Sequence, residues 1–339
     1  MNNFLRRERL YILLLIFIVL VNVLVMTPVS GKNKSRNLDK AHTSQETVSA
    51  SPVKAEDLSA RRQQMEEALK NNKPIATVFN LATLLIMAVL CLGLLLDILL
   101  LMMRSEKMPL EISTYMHSGP VSWNMWDVAK VVILFFFFGY VLIIAESFLV
   151  FAFPYMKDNN FRMILNSSIL DVLAVVFILH FAVGERRERL VSLGISFKNF
   201  AKNIFYGIAG YLAAIPALVA VVMLTAIVVT ALRYNPPQQA VVQLFMKEES
   251  PRFLAYASFF AAVAGPIIEE LFFRGFMYNA LKKIVPLFWA MGISSAAFAA
   301  LHAHAVGFLP ILVIGMLLAY LYEKTGTLVA SVTVHILHN

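Results

Sequence analysis

The feature that most constrains this chain is the length of its apolar runs. Several of them, residues 76–103 and 204–232 among them, exceed the roughly 20 residues that a helix needs to cross a bilayer. Over the 339 residues, 59% are hydrophobic and 15% charged, with a mean hydropathy of +0.72. Soluble domains are typically about 45–50% apolar and about 25% charged. The chain therefore reads as all-α, a polytopic transmembrane helical bundle of about 8–9 hydrophobic segments. The bilayer itself is then a partner. The net charge of +8 reflects Lys and Arg expected on the cytoplasmic side and implies no nucleic-acid partner. The single cysteine, Cys91, excludes an intramolecular disulfide and a multi-cysteine metal site.

Residues 1–30 hold Arg6, Arg7 and Arg9 ahead of an apolar stretch at 10–26, the pattern of a signal anchor or signal peptide. Val29-Ser30-Gly31 is an acceptable cleavage site; a retained anchor is the favoured reading, with its N-terminus cytoplasmic. Residues 31–75 are polar and poor in aromatics, too little apolar surface to order themselves, and read as an extracytoplasmic linker. A short surface helix is expected in its second half. Residues 76–189 read as accessory transmembrane helices, with spans near 76–103, 131–153 and 164–183. Glu146, Asp171 and His180 lie inside them and are expected to make structural interhelical hydrogen bonds, the alternative being that they line the working cavity. The basic loop at 184–202 is a natural boundary. Beyond it, residues 190–339 form the part in which the chemistry is concentrated. Spans are expected near 204–232, 253–278, 284–302 and 308–322, with an outside loop at 233–252. The last helix, from Thr327, has about 13 residues, too few to span alone. Either it enters the membrane halfway or the chain is a truncated form.

The run 265–278 carries Glu269, Glu270 and Arg274 in an otherwise apolar sequence. Ionisable groups at membrane depth are costly and mark function by default. On a helix, Glu270 and Arg274 share a face with the acid N-terminal, the favourable order for an ion pair. Glu269 points about 100° away and is left free. Pro266 can kink the helix one turn earlier. Downstream, His302 and His304 close one apolar span, and His335, His338 and Asn339 end the chain. His335 and Asn339 are four apart and share a face. A carboxylate can deprotonate a water, a histidine can orient or share the proton, and His or Asn donors can stabilise an oxyanion. Imidazoles and a carboxylate could also hold a divalent metal such as zinc, although no His-Glu-x-x-His motif is present.

Glu269-Glu270-x-x-x-Arg274, Phe298-x-x-x-His302 and His335-x-x-x-Asn339, in this order on successive apolar segments, resemble the three motifs of the CPBP family of CAAX endopeptidases and bacteriocin-processing or immunity proteins, also called Abi-like. The wording Glu-Glu-Leu-Phe-Phe-Arg-Gly-Phe is similar to bacterial members. The resemblance covers residues 190–339. It implies hydrolysis of a peptide bond within the membrane, near the cytoplasmic face of the cell membrane, on a peptide or membrane-protein substrate. By motif position, Glu269 resembles the water-activating base and His302 its partner. His335 and Asn339 resemble the oxyanion-stabilising pair, and Glu270 with Arg274 a supporting ion pair. The family is usually labelled metalloprotease, and a metal-free glutamate mechanism is the competing description. The rival reading is a non-catalytic immunity or scaffold protein of the same fold.

Overall fold

The computed structural model describes residues 6–26, 73–104, 121–234, 236 and 240–339. The linker, the expected surface helix in it, and most of the Asn235-Pro236-Pro237 loop lie outside these residues. Among the described residues the protein is helical throughout, with no strand. Ten helices follow in order. They are α1 (Arg9–Met26), α2 (Lys73–Arg104), α3 (Met125–Ala152), α4 (Asn159–Leu179, extended by a π-helical turn His180–Glu185) and α5 (Phe200–Ala231). Then come a short α6 (Ala240–Lys247), the composite α7 (residues 251–281), α8 (Leu287–Leu301), α9 (Phe308–Thr325) and α10 (Leu328–His338). Six helices are long and apolar enough to cross a membrane, and α1, α8 and α10 are shorter apolar helices. The protein is a multi-pass membrane helical bundle.

The helix ends follow local chemistry. Asn124 caps α3, accepting from the backbone of Trp126 and Asp127, while Asp127 reaches back to the Asn124 amide. The α3 helix thus starts at Met125, earlier than the apolar run alone suggests, because its charged residues are paired. The buried Asp127 accepts from Arg186 at 2.7 Å, and Lys130 lies 3.2 Å from Glu8 of the segment leading into α1. Pro286 ends the link before α8, so that helix begins at Leu287. Asp158 caps α4 in the same manner as Asn124 caps α3. The short α6 was not legible in the sequence, where the segment reads only as an outside loop.

Small residues set the closest approaches, as in membrane helix packing generally. A Cβ on Gly93 would meet the Leu212 carbonyl at 2.5 Å, and one on Gly207 the Ala330 carbonyl at 2.8 Å. These contacts seat α2 and α10 against α5. One end of the bundle gathers the ion pairs. Lys282 bonds Glu323 at 2.8 Å, Lys283 bonds the Val121 and Trp123 carbonyls, and Arg186 bonds Asp127. The starts of α1 and α3 and the ends of α4, α7 and α9 therefore lie together. Glu188 belongs to this end. Burial pushes its carboxyl up, but hydrogen bonds from Ser192 and Ser122, with Lys283 nearby, outweigh that and hold it below its ordinary value.

Candidate active site

The composite helix α7 positions the acids. Pro266 has no amide hydrogen to give, and the helix meets it with a π-helical turn, Phe260–Ala264, whose end is marked by the Gly265 amide bonding Phe260 O, five residues back. An α-helical segment Gly265–Glu270 follows, and then a second π-helical stretch, Leu271–Tyr278. The kink expected at Pro266 is thus a change of helical register. Wide turns of this type recur at functional sites. Trp123, fully buried at the start of α3, clamps the second stretch: its indole donates to the Phe276 carbonyl at 2.9 Å and stacks on the Phe276 ring.

Glu270 and Arg274 form the expected ion pair at 2.7 Å, both fully buried. The guanidinium also donates to the Gly315 carbonyl of α9 at 3.1 Å and lies over the Phe298 ring, 4.5 Å from its centre. Gly315 makes this possible, since a Cβ there would strike Ser295 at 2.9 Å. Ser294 ties α8 to α7 by donating to the Phe273 carbonyl. The motif spacing found the pair; Ser294 and Ser295 beside it belong to a small-residue stretch, Gly292 to Ala297, whose pattern is a packing signal, while Gly315 comes from α9.

His335 stands between the two glutamates. Its Nδ1 lies 3.0 Å from Glu270 Oε1 and its Nε2 lies 3.7 Å from Glu269 Oε2. Glu270 Oε1 already accepts from Arg274, and an ionised carboxylate only accepts. His335 Nδ1 therefore carries the proton, and in the neutral ring Nε2 is bare, facing Glu269. Glu269 Oε2 is itself buried with no hydrogen-bond partner among the described residues. His302, at the end of α8, is fixed in the same tautomer, because its Nδ1 donates to the Phe298 carbonyl at 2.8 Å. Both His302 and His335 rings pack edge-on against Phe298. His302 and His335 also interact electrostatically with Glu269.

Two expectations are altered. His335, not His302, presents the nearer imidazole nitrogen to Glu269. Asn339 does not point to the same place as His335: its amide donates to the Ala261 carbonyl of α7 at 3.1 Å. The reason is positional, since Asn339 follows the last helical residue and its side chain crosses to the wide turn at 260–264. His304 is outside the group. Its Nδ1 accepts from the Gly307 amide at 2.8 Å and so closes the turn that starts α9. His338 bonds Tyr211 of α5 at 3.1 Å. Glu146 makes the interhelical bond expected of it, accepting from Asn166 of α4 at 2.7 Å, while His180 faces Glu185 of its own turn. Asp171, half-buried on α4 where that helix packs on α7, makes no hydrogen bond to another described residue. Among the described residues, no group of three or more His, Cys, Asp or Glu side chains is placed to hold a metal ion.

Residues 251–339 match the family described as Type II CAAX prenyl endopeptidase Rce1-like. The match thus starts well downstream of residue 190 and contains every residue of the three motifs. A curated relative, "Putative membrane peptidase YdiL" of Bacillus subtilis (strain 168), is 32% identical over 79 residues, which is 23% of this chain and 32% of that protein. The aligned part thus spans about a third of the relative's length. No solved structure matches the chain. With its three motifs and this match, the C-terminal segment that carries the site, residues 251–339, is similar to the CPBP family of CAAX-type endopeptidases.

Proposed function

We propose that the protein is an intramembrane endopeptidase that hydrolyses a peptide bond of a membrane-associated peptide or protein, with Glu269 as the base that activates water. One observation carries the reading: a buried Glu269 oxygen has no donor and faces the bare nitrogen of a histidine that a second, Arg-paired glutamate holds in place. A structural carboxylate in a bilayer would be paired; this one is set beside a proton acceptor. A water hydrogen-bonded to both Glu269 Oε2 and His335 Nε2 is oriented by the pair. Glu269 takes a proton from it as the oxygen bonds the peptide carbonyl carbon. His302, with its Nε2 bare, shares that proton. Asn339 serves as an oxyanion donor once its amide turns away from Ala261. Glu270 and Arg274 act indirectly, by fixing the His335 tautomer. As placed, the donors among the described residues do not make a zinc site.

The family match favours substrates cut near a C-terminus, CAAX-type, over leader-type peptides. The basic end of the bundle, with Lys282, Lys283 and Arg186, is the cytoplasmic end by charge bias, which sets the N-terminus in the cytoplasm. The test is cleavage of prenylated and unprenylated C-terminal peptides by the purified full chain in detergent, with and without a zinc chelator. Cleavage that persists with chelator is expected. Loss of cleavage with chelator would overturn the metal-free form of the mechanism, and no cleavage of any peptide would favour the immunity or scaffold reading.

A further inference from the structure

Trp123 lies outside the family-matching segment and outside every motif, yet it bonds the helix that carries the acids. Three carbonyls of the wide stretch Leu271–Tyr278 accept from side chains. Phe273 O takes the Ser294 hydroxyl at 3.0 Å, Gly275 O the Asn279 side-chain amide at 2.8 Å, and Phe276 O the Trp123 indole at 2.9 Å. Arg274 lies among these three, so what fixes their carbonyls also fixes the point from which the guanidinium reaches Glu270. Ser294 and Asn279 belong to the segment that matches the family, whereas Trp123 precedes the cap of α3. A regular α-helix serves a carbonyl with the amide four residues on. At the exit of the wide stretch the Asn279 amide, three residues on, and the Trp123 indole both turn to Phe276 O. Side chains that enter the ladder in this way set its local register. Trp123 is itself held from several sides. Lys283, at the end of α7, donates to the Val121 and Trp123 carbonyls at 2.9 and 2.8 Å, and the Ser122 amide donates to Glu188 at 2.9 Å. The indole is fully buried, and its ring stacks on that of Phe276 with 5.4 Å between centres.

We propose that Trp123 is a positioning residue for the hydrolysis. Its indole locks the wide register of α7 from which Arg274 holds Glu270, and Glu270 in turn holds His335 toward Glu269. The strap at residues 121–124 is then part of the working enzyme, although it precedes the segment that carries the motifs. The inference rests on the endopeptidase reading above.

The experiment uses the full chain in detergent and compares wild type, Trp123→Phe, Lys283→Met and Val131→Ala on one cleavable peptide, with rates taken per folded protein. Trp123→Phe keeps a ring on Phe276 and removes the donor. It is expected to lower kcat roughly 10-fold with KM little changed. Lys283→Met leaves the indole but frees its backbone, and gives the same change in smaller measure; it decides alone if Trp123→Phe does not fold. Val131, buried in the same core, is the control for packing loss: Val131→Ala lowers the melting point and keeps the wild-type kcat. Wild-type kcat in Trp123→Phe and Lys283→Met overturns the proposal, and so does an equal loss of kcat in Val131→Ala. Amide hydrogen exchange along residues 271–281 supplies a readout that needs no turnover. It quickens in Trp123→Phe and not in Val131→Ala; unchanged exchange in Trp123→Phe contradicts the lock. A wild type that cleaves no peptide would instead sink the endopeptidase reading while the exchange still tests the lock, so the two failures are distinct.

Discussion

Helices α2 and α7 are close in length and both apolar enough to cross a membrane, yet they are built for different surroundings. The α2 window has mean hydropathy 3.0 and only 6% of it is buried in protein; for α7 the figures are 1.4 and 28%. The α2 helix touches the bundle at the notch of Gly93 and otherwise presents leucines outward, among them Leu84 at 66% exposure. The α7 helix carries two acids and an arginine; the bundle encloses the Glu270–Arg274 pair and leaves Glu269 Oε2 without a hydrogen-bond partner among the described residues. Apolar content alone therefore says that a segment lies in a membrane. The polar exceptions, and whether each has a partner, say which segment works there.

That comparison can be broken by substitution. The largest effect is expected at Arg274. Arg274→Met leaves Glu270 buried without its cation, which costs about 3–5 kcal/mol, and thermal unfolding in detergent should show little folded protein. A wild-type melting point would mean that the buried pair does not hold α7. Adding Glu270→Leu to that variant removes the stranded charge, and should recover folding without recovering cleavage. Gly275→Ala comes next. Its Cβ would lie 2.6 Å from the Leu193 carbonyl, and pushing α7 away from that loop costs roughly 1–3 kcal/mol, read as a lower melting point. At the other extreme, Leu84→Ala on α2 faces no protein neighbour to lose and should change stability by less than about 0.5 kcal/mol. A larger loss there would mean that α2 is covered by protein in the membrane.

Much of this is legible in the sequence itself. Apolar length gave the spans, residue spacing gave the Glu270–Arg274 pair, and the resemblance of the three ordered motifs pointed to Glu269, His302 and His335 as one group. The parts that were not legible share a cause. The two π-helical stretches of α7 depend on how the chain accommodates Pro266 and packs Gly275 against Leu193, which is tertiary information. Asn339 shares a face with His335 on an ideal helix, but it is the residue after the helix, and its amide follows the Ala261 carbonyl instead. The span expected from residue 131 begins at Met125 because Asp127 and Lys130 are paired with Arg186 and Glu8, which are distant in sequence.

The most direct test of the central claim is peptide cleavage by Glu269→Gln beside wild type, with the melting point of each measured in the same detergent. Glutamine keeps the shape of Glu269 and removes its basicity, and Glu269 makes no ion pair that folding needs other than its contact with His335 at 3.7 Å. The account predicts a folded variant with a near wild-type melting point and cleavage reduced by at least about 100-fold. A folded Glu269→Gln protein that cleaves as fast as wild type would contradict it.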